Sequence, residues 1–397
     1  MLQDHSLKSL KNFNPNKVPI SLYIHLPWCE KRCPYCDFNI NTNKLDGDEE
    51  RLLVALNQDL KDSMKYIQKR KFCSIYFGGG TPSLVSSKII KSIIKNLKDM
   101  DLLKEECEIS FELNPKEVTD SYLNQIIAAG VNRVSIGIQS FDQEVLGSLE
   151  RNHSANDSYQ AIKIASGFKN INISIDLIYG MPNSNLISWE KNLNLALNWD
   201  LNHISAYALT VEPKTALEKY IKKEIIIPLD EESVYDQFNL MYDKLSDLNY
   251  INYELSSFAK KGYFSKNNSG YWLGKKYVGI GPSSHSFDGF SRSWNVSNNN
   301  LYVSDIQNNK MYYQKEKLTH VDQYNEYIMT GLRTMWGISL INLQEKFGKK
   351  IQNHFVKKSK KFIESKLLII ENDLIKTSKK GKFLSDGIAS ELFLINR

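Results

Sequence analysis

Three cysteines, Cys29, Cys33 and Cys36, fall at spacings of four and three in the stretch "WCEKRCPYCDF". Thiols so close together are metal ligands first, and two metals suit them. Structural zinc takes four N or S ligands, and His25, four residues before Cys29, could complete a Cys3His set. A strand side chain, at about 3.3 Å of rise per residue, makes that geometry strained. An iron–sulfur cluster is the other option, and three cysteines leave one iron open to a ligand that is not protein. Five cysteines cannot all pair, and cytosolic thiols stay reduced, so no disulfide framework is expected. Cys73 and Cys107 begin apolar, strand-like runs and read as small core residues.

The cysteines follow the first of six β-type runs: "SLYIHL" (21–26), "CSIYFG" (73–78), "CEISFEL" (107–113), "NRVSIGI" (132–138), "INISIDLIYG" (171–180) and "HISAYAL" (203–209). Helical patterns lie between them, among them "TDSYLNQIIAAG", with Thr119 as N-cap and Gly130 just past its end. Strands separated by helices pair in parallel, and six such units make a doubly wound sheet or most of a barrel. Either architecture puts its ligands at the carboxyl ends of the strands.

Polar residues collect at those ends. "GGGTPS" (78–83) follows the second strand, where missing side chains let backbone approach a ligand. Glu112 faces away from the apolar row Ile109, Phe111, Leu113. Gln139 and Ser140 end the fourth strand, Arg151 follows a short helix, and Asp176 sits on the fifth strand. Singly, each has a plain explanation: a turn, an interstrand hydrogen bond or a surface ion pair. Their shared location is what points to a site.

At 397 residues the chain exceeds one ordinary core. Its 42% hydrophobic and 24% charged content describes a soluble globular protein. The formal charge of +6, from 51 basic and 45 acidic residues, favours anionic ligands weakly and does not indicate a nucleic-acid partner. No signal peptide and no apolar run of about 18 residues is legible, so a cytoplasmic protein is expected. After Pro213 the rhythm changes. The expected organisation is an N-terminal tail (1–17), a barrel (18–215), a linker and α/β region (216–320), and a winged-helix-like module (321–397). The basic "KKSKKFIESK" (357–366) of that module reads as a solvated face, and the module as a lid or acceptor-docking domain.

The cysteine spacing, with aromatic Tyr35 before Cys36, resembles the radical S-adenosylmethionine (SAM) superfamily. That resemblance implies a [4Fe-4S] cluster on the three thiolates, with the amino and carboxylate groups of SAM on the fourth iron. An electron from the cluster then cleaves the sulfonium to a 5′-deoxyadenosyl radical. The fold implied is a partial (β/α)6 TIM-like barrel with a C-terminal α+β domain. More narrowly, "YIHLPWCEKRCPYCDFN", "YFGGGTPS", "FELNP", "RVSIGIQSF", "DLIYGMP" and "YALTVEP" resemble, in order, blocks of the oxygen-independent coproporphyrinogen III oxidase family. By that resemblance Tyr23 and Tyr35 flank cluster and SAM, Gly79, Gly80 and Thr81 bind SAM, and Glu112 takes its ammonium. Gln139, Arg151, Asp176 and Ala208 fall on the remaining SAM-contact blocks.

Decarboxylating oxidases of this family carry a fourth cysteine two residues after the third; here Phe38 stands there. Only 28 residues precede Cys29, where those oxidases have a longer extension. Both features favour the HemW-like haem-chaperone branch, which implies haem, haem-acceptor proteins of respiration at the membrane surface, and an electron donor such as flavodoxin. The alternative is a true oxidase making protoporphyrinogen IX. The branch usually shows His-Asn-x-x-Tyr-Trp where this chain has Asn267-Asn268-Ser269-Gly270-Tyr271-Trp272, and Asn is a poor iron ligand. An axial ligand then comes from His285, His25 or a cysteine, or the ring stacks on Tyr271 and Trp272. Those two aromatics read equally well as packing between domains, and His285 as a hydrogen-bonded loop residue.

Overall fold

The computed structural model describes residues 20–67 and 70–395; the expected tail, 1–17, lies outside them. Six parallel strands pair in sequence order: β1 (Ile20–Leu26), β2 (Phe72–Gly79), β3 (Leu103–Leu113), β4 (Arg133–Gln139), β5 (Asn172–Tyr179) and β6 (His203–Ala208). All six expected runs are strands. The period of two decides how they sit: Leu22, Ile24 and Leu26 are fully buried, as are Ile75, Phe77 and Phe111. The alternate positions are polar and bond across strands, Ser74 hydroxyl to Ser21 oxygen at 2.7 Å and Tyr76 hydroxyl to Glu112 at 2.8 Å. The strands therefore enclose a polar interior and bury an apolar exterior under the crossover helices. Thr119 caps one of these, accepting from the Tyr122 amide, and Gly130 ends it at φ 126°.

Residues 216–320 extend the same sheet at both edges. β7 (Ile251–Glu254) and β8 (Ser257–Ala259) add antiparallel beyond β6. β9 (Tyr277–Ile280) pairs in parallel with β1 and continues through β10 (His285–Phe287), β11 (Ser291–Asn295) and β12 (Tyr313–Lys317). Phe238, Met241, Phe258 and Tyr302 belong to the same core as the barrel strands. Asp59, on the helix Asp48–Ile67, ties this extension down by accepting from Tyr302 (2.7 Å), Asn295 (2.8 Å) and the Gly281 amide (3.2 Å).

A second core, with Tyr324, Leu343, Phe355 and Ile388, holds the C-terminal module. Its helices, among them His320–Leu332 and Lys349–Glu364, surround a three-stranded sheet of β13 (Ile338–Ser339), β15 (Leu374–Thr377) and β14 (Leu368–Glu371). Among the described residues no helix is long and apolar enough to cross a membrane.

The amino end of the barrel is closed by residues 251–272. Glu108 accepts the backbone amides of Lys266 (2.9 Å) and Asn267 (3.3 Å), at the start of the helix Lys266–Trp272. Arg133 donates to Tyr263 oxygen at 3.3 Å, and His203 is held between Ser174 (2.7 Å) and the Tyr253 hydroxyl (2.8 Å). With this floor in place, the barrel's mouth lies at the carboxyl ends of its strands.

Candidate functional site

The three cysteines lie in the loop that leaves β1. Its course is fixed by backbone bonds: Cys29 amide to Asn41 oxygen (3.0 Å), Asn41 amide to Pro27 oxygen (2.7 Å) and Cys36 amide to Cys33 oxygen (3.1 Å). Arg32 braces the loop from outside, its guanidinium donating to the carbonyls of Cys36 (3.4 Å), Phe38 (3.3 Å) and Ile40 (3.1 Å). The Leu217 amide reaches Pro34 oxygen at 2.9 Å from the far side of the mouth. All three thiols are half-buried. Burial, partly offset by a bond from the Thr81 hydroxyl and reinforced by the Cys36 and Cys33 thiols, pushes Cys29 up to about 11. Apo thiols with raised pKa values become thiolates only when a metal displaces their protons.

The fourth donor that zinc needs is not on offer from His25. Its Nε2–H donates to Asn39 oxygen at 2.9 Å and its Nδ1 accepts from the Tyr23 hydroxyl at 3.1 Å, so both ring nitrogens are engaged. With His25 engaged elsewhere, a set of three thiols suits a cluster with one open iron.

The glycines after β2 are required first by the chain itself. A Cβ on Gly79 would lie 2.5 Å from the His25 ring, and one on Gly80 2.5 Å from Trp28 oxygen. Gly80 donates to Leu26 oxygen (2.8 Å) and Thr81 to Trp28 oxygen (2.7 Å). These contacts press the β2 exit against the cysteine loop, and the Thr81 hydroxyl meets Cys29 sulfur at 3.3 Å.

Across the mouth stand two carboxyls. Burial pushes Glu112 up to about 7, with Asp176 adding to the rise and bonds from the Tyr76 hydroxyl and Gly79 amide opposing it. Burial likewise raises Asp176 to about 6 against bonds from Ser205 and Ser135. Carboxyls held near neutrality in a polar mouth take a proton or a cationic group readily. Arg151 donates to Gly137 oxygen (3.2 Å), the Tyr35 hydroxyl (3.4 Å) and Cys33 sulfur (3.6 Å), while its Nε has no partner. Gln139 takes φ 63°, rare for a residue with a side chain. Tyr23 stacks on Tyr76 at 6.2 Å, and Ala208 ends β6 beside Tyr179. Beside Tyr35 a cavity of about 190 Å³ is walled by Leu149, Met181, Leu209, Leu217 and Ile226.

The fold thus brings the cysteines, Tyr23, Tyr35, the glycine loop, Glu112, Gln139, Arg151 and Asp176 to one end of one barrel. Sequence reasoning missed Arg32, Tyr76, Ser135 and Ser205. The last three share the alternation that exposed Glu112 and could have been found by it; Arg32 sits in an aperiodic loop and gave no signal. Of the residues weighed as haem partners, His25 and the cysteines belong to the mouth itself, and the others sit around it as follows. Asn267 is buried in the floor, Tyr271 packs edge-on against Tyr277 at 4.6 Å, and Trp272 lies 5.6 Å under the Arg333 guanidinium of the C-terminal module. His285 is exposed and stacks on Trp294 at 6.3 Å.

A parallel six-stranded partial barrel, with three cysteines in the loop after its first strand and carboxyls at its mouth, has the form of a radical SAM protein. Residues 23–196 match the radical SAM superfamily and residues 318–384 the HemN C-terminal domain. The structure of coproporphyrinogen III oxidase (HemN) from Escherichia coli, a radical SAM enzyme, superposes with a TM-score of 0.82 over 99% of this chain and 94% of that one, at 20% identity. The fold is therefore that of HemN. Within this class the chain belongs to the HemW family. It is 33% identical to heme chaperone HemW of Buchnera aphidicola subsp. Schizaphis graminum, over 93% of this chain and 97% of that protein. Against heme chaperone HemW of Bacillus subtilis it is 30% identical, again over 93% and 97%.

Proposed function

We propose that this chain is a haem chaperone: it binds a [4Fe-4S] cluster, SAM and haem, and delivers haem to acceptor proteins of respiration without oxidase turnover. The observation that carries this reading is the end-to-end match to proteins named heme chaperone HemW. Phe38, 65% exposed where the decarboxylating oxidases have their fourth cysteine, supports it.

In this reading Cys29, Cys33 and Cys36 hold the cluster and Glu112 receives the SAM ammonium. Tyr23, Tyr35, Gly79, Gly80, Thr81, Gln139, Arg151, Asp176 and Ala208 line the rest of the SAM site. The cluster supplies one-electron chemistry when bound, and a flavodoxin-type protein is its electron donor. The chain's own part is to order SAM and keep water from it. The C-terminal module is the acceptor-docking domain at the membrane surface of the cytoplasm. Residues 321–397 hold fourteen Lys and Arg against eight Asp and Glu, which is the whole of the formal +6. A basic module on an otherwise balanced protein suits an anionic partner surface.

The test is a haem titration of anaerobically reconstituted protein, with and without SAM, beside an incubation with coproporphyrinogen III and SAM. Saturable haem binding without protoporphyrinogen or CO2 is expected; robust product formation would return the chain to the oxidases.

A further inference from the structure

The bend that ends β4 is held by side chains from several elements. The ladder between β4 and β5 loses register between Ile136 and Gln139, and Gln139 adopts φ 63°. A residue with a side chain enters the left-handed region at a cost of about 1 kcal/mol or more and stays there only when its surroundings hold it.

Three side chains do that holding. Arg151 donates to Gly137 oxygen at 3.2 Å. His153, only 3% exposed, bonds through Nε2 to Ile138 oxygen at 3.1 Å. A carbonyl only accepts, so Nε2 carries the proton and Nδ1 is the bare nitrogen; Nδ1 is buried with no partner. On the other side, Asn192 accepts the Phe141 amide at 2.7 Å. Carbonyls 137 and 138 and amide 141 are thus engaged by side chains, and the Ser140 amide also donates to Ile138 oxygen at 2.8 Å across residue 139. A buried imidazole with one nitrogen unsatisfied costs stability. Burial and the neighbouring Arg151 hold His153 down to about 4, so the ring is neutral and contributes a directed donor, not a charge.

We infer that His153 is a positioning residue for SAM: through its bond to the Ile138 carbonyl it locks the left-handed turn that aims Gln139 into the mouth. The inference rests on the reading of Gln139 as a SAM contact and assigns His153 no contact with the ligand.

The experiment is equilibrium dialysis of SAM against anaerobically reconstituted wild type, His153→Leu and His153→Gln, with iron content measured on the same samples. Leu keeps the apolar volume and removes the donor; SAM affinity is expected to fall about tenfold, with cluster iron per chain unchanged. Gln carries an Nε2–H at similar reach and is expected to restore affinity to within about threefold of wild type. A purely structural role predicts that Leu and Gln shift melting temperature while leaving SAM affinity alike. Equal binding by all three proteins, or equal loss in Leu and Gln, overturns the inference. If His153→Leu does not fold, Asn192→Ala frees the Phe141 amide of the same bend and is expected to weaken SAM several-fold; unchanged affinity there is equally fatal. If wild type itself takes up no SAM, the SAM reading fails and this inference with it, whereas wild-type binding that no variant disturbs removes this inference alone.

Discussion

The two ends of the barrel are built from the same strands and treat their polar residues in opposite ways. On β3, Glu108 at the floor accepts two backbone amides of the helix Lys266–Trp272 and the Ser110 hydroxyl. One turn of the pleat pattern further on, Glu112 at the mouth has Tyr76 and the Gly79 amide and is pushed up to about 7. On β4, Arg133 is spent on Tyr263 oxygen, while the bend after Gly137 stores backbone strain. At the floor the charged groups are taken up by chain that arrives more than a hundred residues later, although Ser257 Oγ, Asn267 Oδ1 and Ser269 Oγ there have no partner. At the mouth the carboxyls meet only hydroxyls and one amide, burial holds them well above the usual carboxylate range, and Arg151 Nε has no partner, which is a setting that a ligand with an ammonium group and a metal cluster would suit.

The largest expected effect lies at the mouth. Cys29→Ala, Cys33→Ala or Cys36→Ala should each remove nearly all iron and sulfide after anaerobic reconstitution, while changing apo-protein stability by under about 1 kcal/mol, because the thiols are half-buried. His25→Asn should retain iron, since both ring nitrogens already serve Tyr23 and Asn39. Loss of metal in His25→Asn equal to that in the cysteine variants would restore the zinc site and erase the contrast.

At the floor the sign reverses. Glu108→Ala uncaps a buried helix start and strands Ser110, at about 3 kcal/mol by the usual worth of bonds to a charged group. Chemical denaturation should register that loss, while iron content in the protein that does fold stays at the wild-type level.

Between these lies a pH effect. A carboxyl whose folded pKa exceeds its unfolded one binds protons on folding, so its stabilising share is complete below the unfolded value and disappears as pH rises through the folded one. For Glu112 that window runs from 4.5 to about 7, and for Asp176 from 3.8 to about 6. Apo-protein stability should therefore decline across pH 4.5 to 7, with Glu112 contributing on the order of 1–2 kcal/mol after allowance for its partial exposure. SAM affinity should run the other way, tightening as pH rises through about 7 and the carboxylate forms. Glu112→Gln should flatten both profiles; a SAM profile that keeps its slope in that variant assigns the ammonium to another group.

How much of this was legible in the sequence follows from where periodicity holds. The six strands, the facing of Glu112, the place of Asp176 on the fifth strand and the Thr119 cap were all readable, because alternation and turn chemistry are local. The floor was not: Glu108 finds Lys266 and Asn267 more than 150 residues away, and nothing near Glu108 announces it. Residues 216–320 read as a linker and α/β region with no stated place in the sheet, because β9 enters beside β1 from a distance that local pattern cannot bridge. The glycines of "GGGTPS" were readable as close-approach positions, but what they approach first is His25 and Trp28 of the same chain.

The smallest expected effect tests whether the aromatic pair near the floor belongs to haem or to packing. Trp272 faces Arg333 at 5.6 Å, and nearby the Met335 amide donates to Tyr253 oxygen at 3.0 Å, so this corner joins the C-terminal module to the barrel. Losing a half-exposed cation–π contact costs about 1 kcal/mol. Trp272→Leu should lower the unfolding midpoint by that amount and leave haem affinity, iron and SAM binding at wild-type values. A tenfold loss of haem affinity in Trp272→Leu, with stability little changed, would place the porphyrin against this aromatic pair, and the floor would then bind a ligand as well as close the barrel.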